Sequence, residues 1–258
     1  MDMKKIMTLA LMAIMACSCN VNINTKKLSG VTVTEEFKIT RTYKTINISK
    51  AVNVVLSPDV REMTVTADSV VISDFMFSCE DGVLEIGRRP DVTTIYNGLG
   101  TIDVVIPVSR FLTSVSVVEA SSLKCEERIQ AMDFTAVVAT ASKLEAEFQV
   151  RNLKITASEA SSAMVSGTVT KDLMCTVTTA SKLSSDKEFL EAEETYVNIS
   201  GASSAFLKCT DVLSGTVSGA SKLTYSGDCE CSVAVSGASK LQPAGAASSS
   251  DFQNKLSI

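Results

Sequence analysis

Ala120-Ser121-Ser122, Ala141-Ser142-Lys143, Ala160-Ser161-Ser162, Ala180-Ser181-Lys182, Ala202-Ser203-Ser204, Ala220-Ser221-Lys222 and Ala238-Ser239-Lys240 are one phrase written seven times. The gaps between successive alanines are 21, 19, 20, 22, 18 and 18 residues. Self-similarity at a period of about twenty residues is the signature of a solenoid, in which each repeat buries its apolar face only against its neighbours. Ahead of each anchor, apolar residues fall at every second position. Examples are Phe134, Ala136 and Val138, then Leu153, Ile155 and Ala157, then Leu173, Cys175 and Val177, then Cys231, Val233 and Val235. The positions between them are mostly Thr, Ser, Lys or small. Three residues after the alanine the apolar character returns, at Leu123, Leu144, Ala163, Leu183, Ala205, Leu223 and Leu241. Period-two alternation marks strands with one buried face, so each repeat reads as strand, tight corner, strand. Gly201, Gly219 and Gly237 precede the later alanines and suit a corner with an unusual backbone angle. The fold expected is all-β: a parallel β-helix, right-handed by the crossover rule, with about twenty residues per coil.

The second residue after each alanine runs Ser122, Lys143, Ser162, Lys182, Ser204, Lys222, Lys240. With one repeat per coil, Lys143, Lys182, Lys222 and Lys240 form an exposed ladder in which most lysines are spaced by a serine. Glu159 then belongs to the coil between Lys143 and Lys182. A coil twice as long would stack the lysines directly, which like-charge repulsion disfavours. The recurring Ser121, Ser142, Ser161, Ser181, Ser203, Ser221 and Ser239 are read as a structural ladder at the repeat corner, since Ser side chains satisfy turn backbone. They are not read as nucleophiles, because no base accompanies them.

The chain opens with Lys4, Lys5 and the apolar run 6–16, too short to span a bilayer as a helix. Residues 1–16 read as a lipoprotein signal ending at Cys17, the candidate lipid attachment, with Cys19 as the alternative; Ile14-Met15-Ala16-Cys17 resembles a lipobox with an imperfect Met15. An ordinary secretory signal is the third possibility. Residues 17–30 are polar and read as a tether, followed by a single domain over 31–258. In it, 31–113 are irregular N-terminal coils acting as a cap (or a small separate β unit), 114–241 are the regular repeats, and 242–258 are a C-terminal cap with Phe252, Leu256 and Ile258 over the open end.

Composition removes several function classes. Net charge is −5, and −6 once Asp2, Lys4 and Lys5 are gone, with no basic patch for nucleic acid. With no Trp and 5% aromatic residues, a deep aromatic groove is not expected. The chain contains no His, the commonest general base and metal ligand. No Cys spacing makes a metal site, and no Asp pair recurs at ladder spacing. No cofactor, metal or catalytic residue is expected. Cys175 and Cys231 fall on the inward register as small buried hydrophobes, while a Cys209–Cys229 disulfide stands as a possibility in an exported protein.

Taken together, Val197–Ser203, Val217–Ser221 and Val233–Ser239, the strand pair Thr45–Ser49 and Val52–Leu56, Asp81-Gly82-Val83-Leu84-Glu85-Ile86 and Val104-Val105-Ile106-Pro107 resemble the head GIN domain family of Bacteroidetes, a group of autotransporter-adhesin-like proteins. The resemblance runs from about Phe37 to Leu241 and departs at Ala139-Thr140-Ala141 and Ser158-Glu159-Ala160, where Ser-Gly-Ala is replaced. It implies a β-helical envelope protein and brings no catalytic residues. The expected function is a non-enzymatic cell-envelope lipoprotein, held on the outer membrane by its lipid, whose outer ladders bind a protein or glycan. A periplasmic scaffold is the alternative, and a polysaccharide-active enzyme stands behind both. The lack of an acidic run after Cys17 favours the periplasmic face over the cell surface.

Overall fold

The computed structural model describes residues 24–89, 94–98, 100–185 and 189–244, so both candidate acylation sites and the Phe252–Ile258 cap lie outside the described residues. What it describes is a parallel β-solenoid of about six turns with about 20 residues per turn. Strands on successive coils pair in parallel and in register: Lys143 lies opposite Ser162, Ser162 opposite Lys182, Lys182 opposite Ser204, Ser204 opposite Lys222 and Lys222 opposite Lys240. One repeat is therefore one coil, and the longer coil is excluded. Inward residues alternate along the whole turn, as in Leu144, Ala146, Phe148 and Val150, then Leu153, Ile155 and Ala157 after a bulge between Val150 and Leu153. They form one continuous core, with the Phe134 and Phe148 rings 5.3 Å apart filling its broad side.

The corner explains the repeated phrase. Two consecutive residues take left-handed backbone angles on each coil: Glu119 and Ala120 at φ 57° and 59°, Thr140 and Ala141 at 56° and 60°, and likewise through Glu159-Ala160, Thr179-Ala180, Gly201-Ala202 and Gly219-Ala220. Any Cβ is strained in this conformation, and the later corners relieve it at the first position with Gly201 and Gly219. The next residue, always Ser, turns inward and is 1–2% exposed in the six coils from Ser121 to Ser221. Its hydroxyl accepts the backbone N–H of the serine on the preceding coil: Ser121 N–H to Ser142 Oγ at 3.2 Å, Ser142 to Ser161 at 3.2 Å, Ser161 to Ser181 at 3.1 Å, Ser181 to Ser203 at 3.2 Å, Ser203 to Ser221 at 3.1 Å and Ser221 to Ser239 at 3.1 Å. A buried amide that the corner has turned away from the strand ladder thus finds a partner in a side chain. An eighth corner, Lys50-Ala51 at φ 62° and 57°, carries Val52 in the serine position, and its amide donates to Ser121 Oγ at 3.3 Å.

Chain order and coil order part company at the N-terminal end. Thr45–Ile48 lies between Val83–Arg88 on one side and Ser114–Val117 on the other, all parallel. Val52–Ser57 likewise lies between Ile102–Pro107 and Ser122–Cys125. Antiparallel strands sit at this end: Met63–Asp68 pairs with both Thr32–Phe37 and Ile102–Pro107, and Phe75–Glu80 pairs with Val83–Arg88. They occupy hydrogen-bonding edges that an open solenoid would leave bare, and Phe37, Phe75 and Phe77 pack together beneath them with ring centroids 5.4–6.0 Å apart. The stretch 24–30, expected as tether, is instead tied down. Asn24–Lys27 pairs in parallel with Thr94–Asn97. Asp68 accepts hydrogen bonds from the Val70, Ser29 and Gly30 amides, which, led by Val70, hold its carboxyl below the usual range.

Two substitutions test this account. Ser161→Ala removes the acceptor for the buried Ser142 amide, so chemical denaturation should show a loss of about 1–3 kcal/mol with the far-ultraviolet spectrum unchanged. Gly215, at φ 121°, has a would-be Cβ 1.9 Å from the Val197 carbonyl oxygen, whereas that of Gly237 meets nothing closer than 3.5 Å. Gly215→Ala should therefore lower the thermal midpoint far more than Gly237→Ala.

Candidate functional site

The same corner divides each coil's surface into two kinds of face. After the corner the outward residues include charged pairs that bridge coils. Lys124 meets Glu145 at 3.4 Å, Arg128 meets Glu147, and Lys208 meets Glu191 at 3.0 Å. Lys143, Lys182 and Lys222 stand exposed at the start of this face, each separated from the next by a serine coil, while Lys222 and Lys240 are direct neighbours at its end. The Glu159 carboxylate takes a 2.7 Å hydrogen bond from the Thr140 hydroxyl at the corner itself. Exposed pairs of this kind contribute little to stability.

Before the corner the surface is different. Three parallel rows of outward side chains cross the coils. The outermost row runs Thr45, Ser114, Thr135, Lys154, Met174, Tyr196, Ser214, Ser232. The middle row runs Asn47, Ser116, Val137, Thr156, Thr176, Asn198, Thr216, Ala234. The row beside the corner runs Ser49, Val118, Ala139, Ser158, Thr178, Ser200, Ser218, Ser236, each coil's amide donating to the coil before it. Lys154 is the single charged side chain among them, although 21% of the chain is charged, and Glu85, bonded to the Asn47 side chain at 2.9 Å, continues the middle row on the next strand. Most of the rest carry a hydroxyl or amide, which both donates and accepts. Coils are about 4.8 Å apart and rows about 6.6 Å apart, by strand geometry, so the face is a near-neutral lattice of hydrogen-bonding groups on a rigid sheet. Its aromatic and thioether members, Tyr196 and Met174, are direct neighbours, 50% and 47% exposed. Beside them runs a groove of about 290 Å³ lined by Asp172, Leu173, Met174, Glu194, Thr195, Tyr196, Val212 and Ser214.

A larger depression of about 470 Å³, between Leu56, Val108, Leu112 and Ile129, is rimmed by Arg110, Glu127 and Arg128. Arg128 is already paired with Glu147 and the depression lies off the neutral face. Among the described residues no cluster of acidic, Cys or His side chains has the arrangement of a metal site, and no helix is long and apolar enough to cross a membrane.

The cysteines sort by position on the coil. Cys175 is buried in the core, and burial pushes its thiol up to about 12. Cys231, expected to be buried because it shares that register, is exposed: its strand, Glu230–Val235, pairs with Ser204–Val217 on one side and with no other described strand. Cys209, buried, donates its thiol to the Glu193 and Val212 carbonyls at 3.3 and 3.1 Å, and it and half-buried Cys229 on the neighbouring coil are both free thiols.

Sequence reasoning located the serine and lysine ladders and passed over the neutral rows. The signal was present in the Thr, Ser and small residues between the apolar positions, and it emerges only when those positions are summed across coils.

The comparisons agree with this architecture. A family profile described as "Putative auto-transporter adhesin, head GIN domain" matches residues 42–229. A solved structure described as a "putative adhesin" from Bacteroides fragilis NCTC 9343 superimposes with a TM-score of 0.75 at 12% identity, over 84% of this chain and 99% of that one. A second "putative adhesin", from Parabacteroides distasonis ATCC 8503, gives 0.66 at 15% identity, over 85% of this chain and 100% of its own. A "Putative lipid binding protein" from the same strain gives 0.60 at 17% identity, over 85% and 99%. At such identities the likeness is one of fold. No curated protein matches the chain.

Proposed function

This chain belongs to the head GIN domain family, and from that premise we propose that it is a non-enzymatic binding module of the cell envelope, adhesin-like in action, which engages its partner through the neutral face. The observation that carries the reading is the near-absence of charge from those three rows on a chain whose other faces are charged. A solvated surface gains solubility from charge, so a broad uncharged plane on a rigid repeat is a surface shaped by contact. Solenoids bind over such extended surfaces. The description of the related folds as adhesins supports the same reading.

In this proposal the signal 1–16 directs export, and acylation at Cys17, or at Cys19 in its place, holds the protein on the outer membrane. Multiple acyl chains make such an anchor stable, where one is marginal. The second reading, a periplasmic scaffold, draws on the rod-like stacking and on the lack of an acidic run after Cys17. On that ground we place the rod on the periplasmic side as the default, with display at the surface as the adhesin's requirement.

Two experiments separate these readings. Ser200→Arg combined with Thr178→Arg puts charge into the row of the neutral face beside the corner, and the doubly substituted protein should lose binding to intact bacterial or host cells while keeping its thermal midpoint. Unchanged binding would sink the assignment of the face. Protease shaving of intact cells should remove a surface-displayed rod and spare a periplasmic one. In the same cells Cys17→Ala should abolish labelling by palmitate; persistent labelling would move the lipid to Cys19.

A further inference from the structure

We propose that the groove beside Tyr196 is a saccharide subsite, which takes one pyranose ring of an uncharged polysaccharide lying along the hydroxyl rows. The proposal rests on the reading of the neutral face as a binding surface and names the class of its ligand. Met174, Tyr196 and Ser214 follow one another on successive coils at the same register. The thioether and the phenol ring thus make an apolar shelf about two coils wide, roughly 10 Å by strand spacing. That is the footprint of a sugar ring, whose C–H face packs on exposed aromatic surface while its edge keeps hydrogen bonding.

The groove supplies that edge. Asp172 and Glu194 stand opposite each other on adjacent coils at one side of the shelf. Carboxylates are acceptors for ligand hydroxyls. Two on neighbouring strands also repel an anion, since like charges set side by side are unfavourable even without a ligand. Asp172 is partly neutralised by Lys171 at 3.4 Å. Beyond the groove the rows continue without charge through Thr176, Asn198 and Thr216. A neutral chain finds hydrogen-bonding groups there at every coil, and the one cation of the rows, Lys154, stands at the end of the shelf beside Met174.

Surface plasmon resonance of the full chain in detergent tests this, with a soluble β-glucan and an α-mannan as neutral probes and alginate and chondroitin sulfate as acidic ones. At least one neutral probe should bind, and neither acidic one. Tyr196→Ala should weaken that binding about tenfold, the scale expected when a stacking ring is removed, while Tyr196→Phe should retain it and Glu194→Gln should reduce it. Thermal midpoints of all variants should match the parent, as the substituted side chains are exposed at the surface. Glycan binding that survives Tyr196→Ala but is lost in the Ser200→Arg, Thr178→Arg protein overturns the subsite and leaves the face. Failure of every neutral probe, with cell binding intact, overturns the saccharide class while the adhesive reading stands. Preference for alginate or chondroitin sulfate overturns both the class and its electrostatic argument.

Discussion

The structure depends on how a backbone amide is satisfied at a turn. Each coil reverses direction through two consecutive left-handed residues, and the amide that follows is buried and turned from its strand partners. A seryl hydroxyl on the adjacent coil accepts it, from Val52 to Ser239 without a break. An unpaired buried amide is costly. The ladder therefore fixes the vertical alignment of every coil as firmly as the apolar core does, and the register it sets is what lines outward side chains into straight rows. Without that register, neither the neutral face nor the lysine ladder would be a contiguous feature.

The corner also separates two chemistries. On one side charges accumulate and neutralise one another between coils, through Lys124 and Glu145, Arg128 and Glu147, and Lys208 and Glu191. On the other they are nearly absent. Inward positions are equally apolar on both sides, so the difference does not come from folding. A solenoid whose stability is supplied by core and ladder is free to vary its outward rows, and here only one set has been kept neutral. A larger depression, near Arg110, lies elsewhere, which illustrates that concavity and composition are separate signals.

Much of this was legible beforehand. The seven Ala-Ser anchors carry their own period, and alternation on either side defines which residues face inward, so the coil length and the core column could be read directly. What could not be read was the corner at Lys50-Ala51. It carries Val52 where every other corner has Ser, and Ile102, the residue opposite Val52, follows no Ala-Ser corner whose amide would need a hydroxyl. The burial of Cys231 was misjudged because register predicts facing and says nothing of whether a further coil covers it. The N-terminal cap is legible as irregular β-rich sequence, but the antiparallel pairing of its strands is not, since they have no repeat. The neutral rows were passed over because each contributes only a few unremarkable residues per coil.

The position of Thr45–Ser57 has a consequence for how the chain acquires its shape. This segment emerges first among the coils, yet its strands are sandwiched between partners from 83–107 and from 114–125. The Val52 amide waits for Ser121, 69 residues later. The solenoid cannot wind up coil by coil as it is made. Its start must stay open until a long loop has closed, and such non-local closure is slow relative to the local stacking of later coils. The regular repeats are therefore the part suited to nucleate, with assembly running backwards toward the amino end. A protein delivered unfolded across a membrane would arrive with its first coil still unpaired, and it would become resistant to proteolysis only when that coil is locked in.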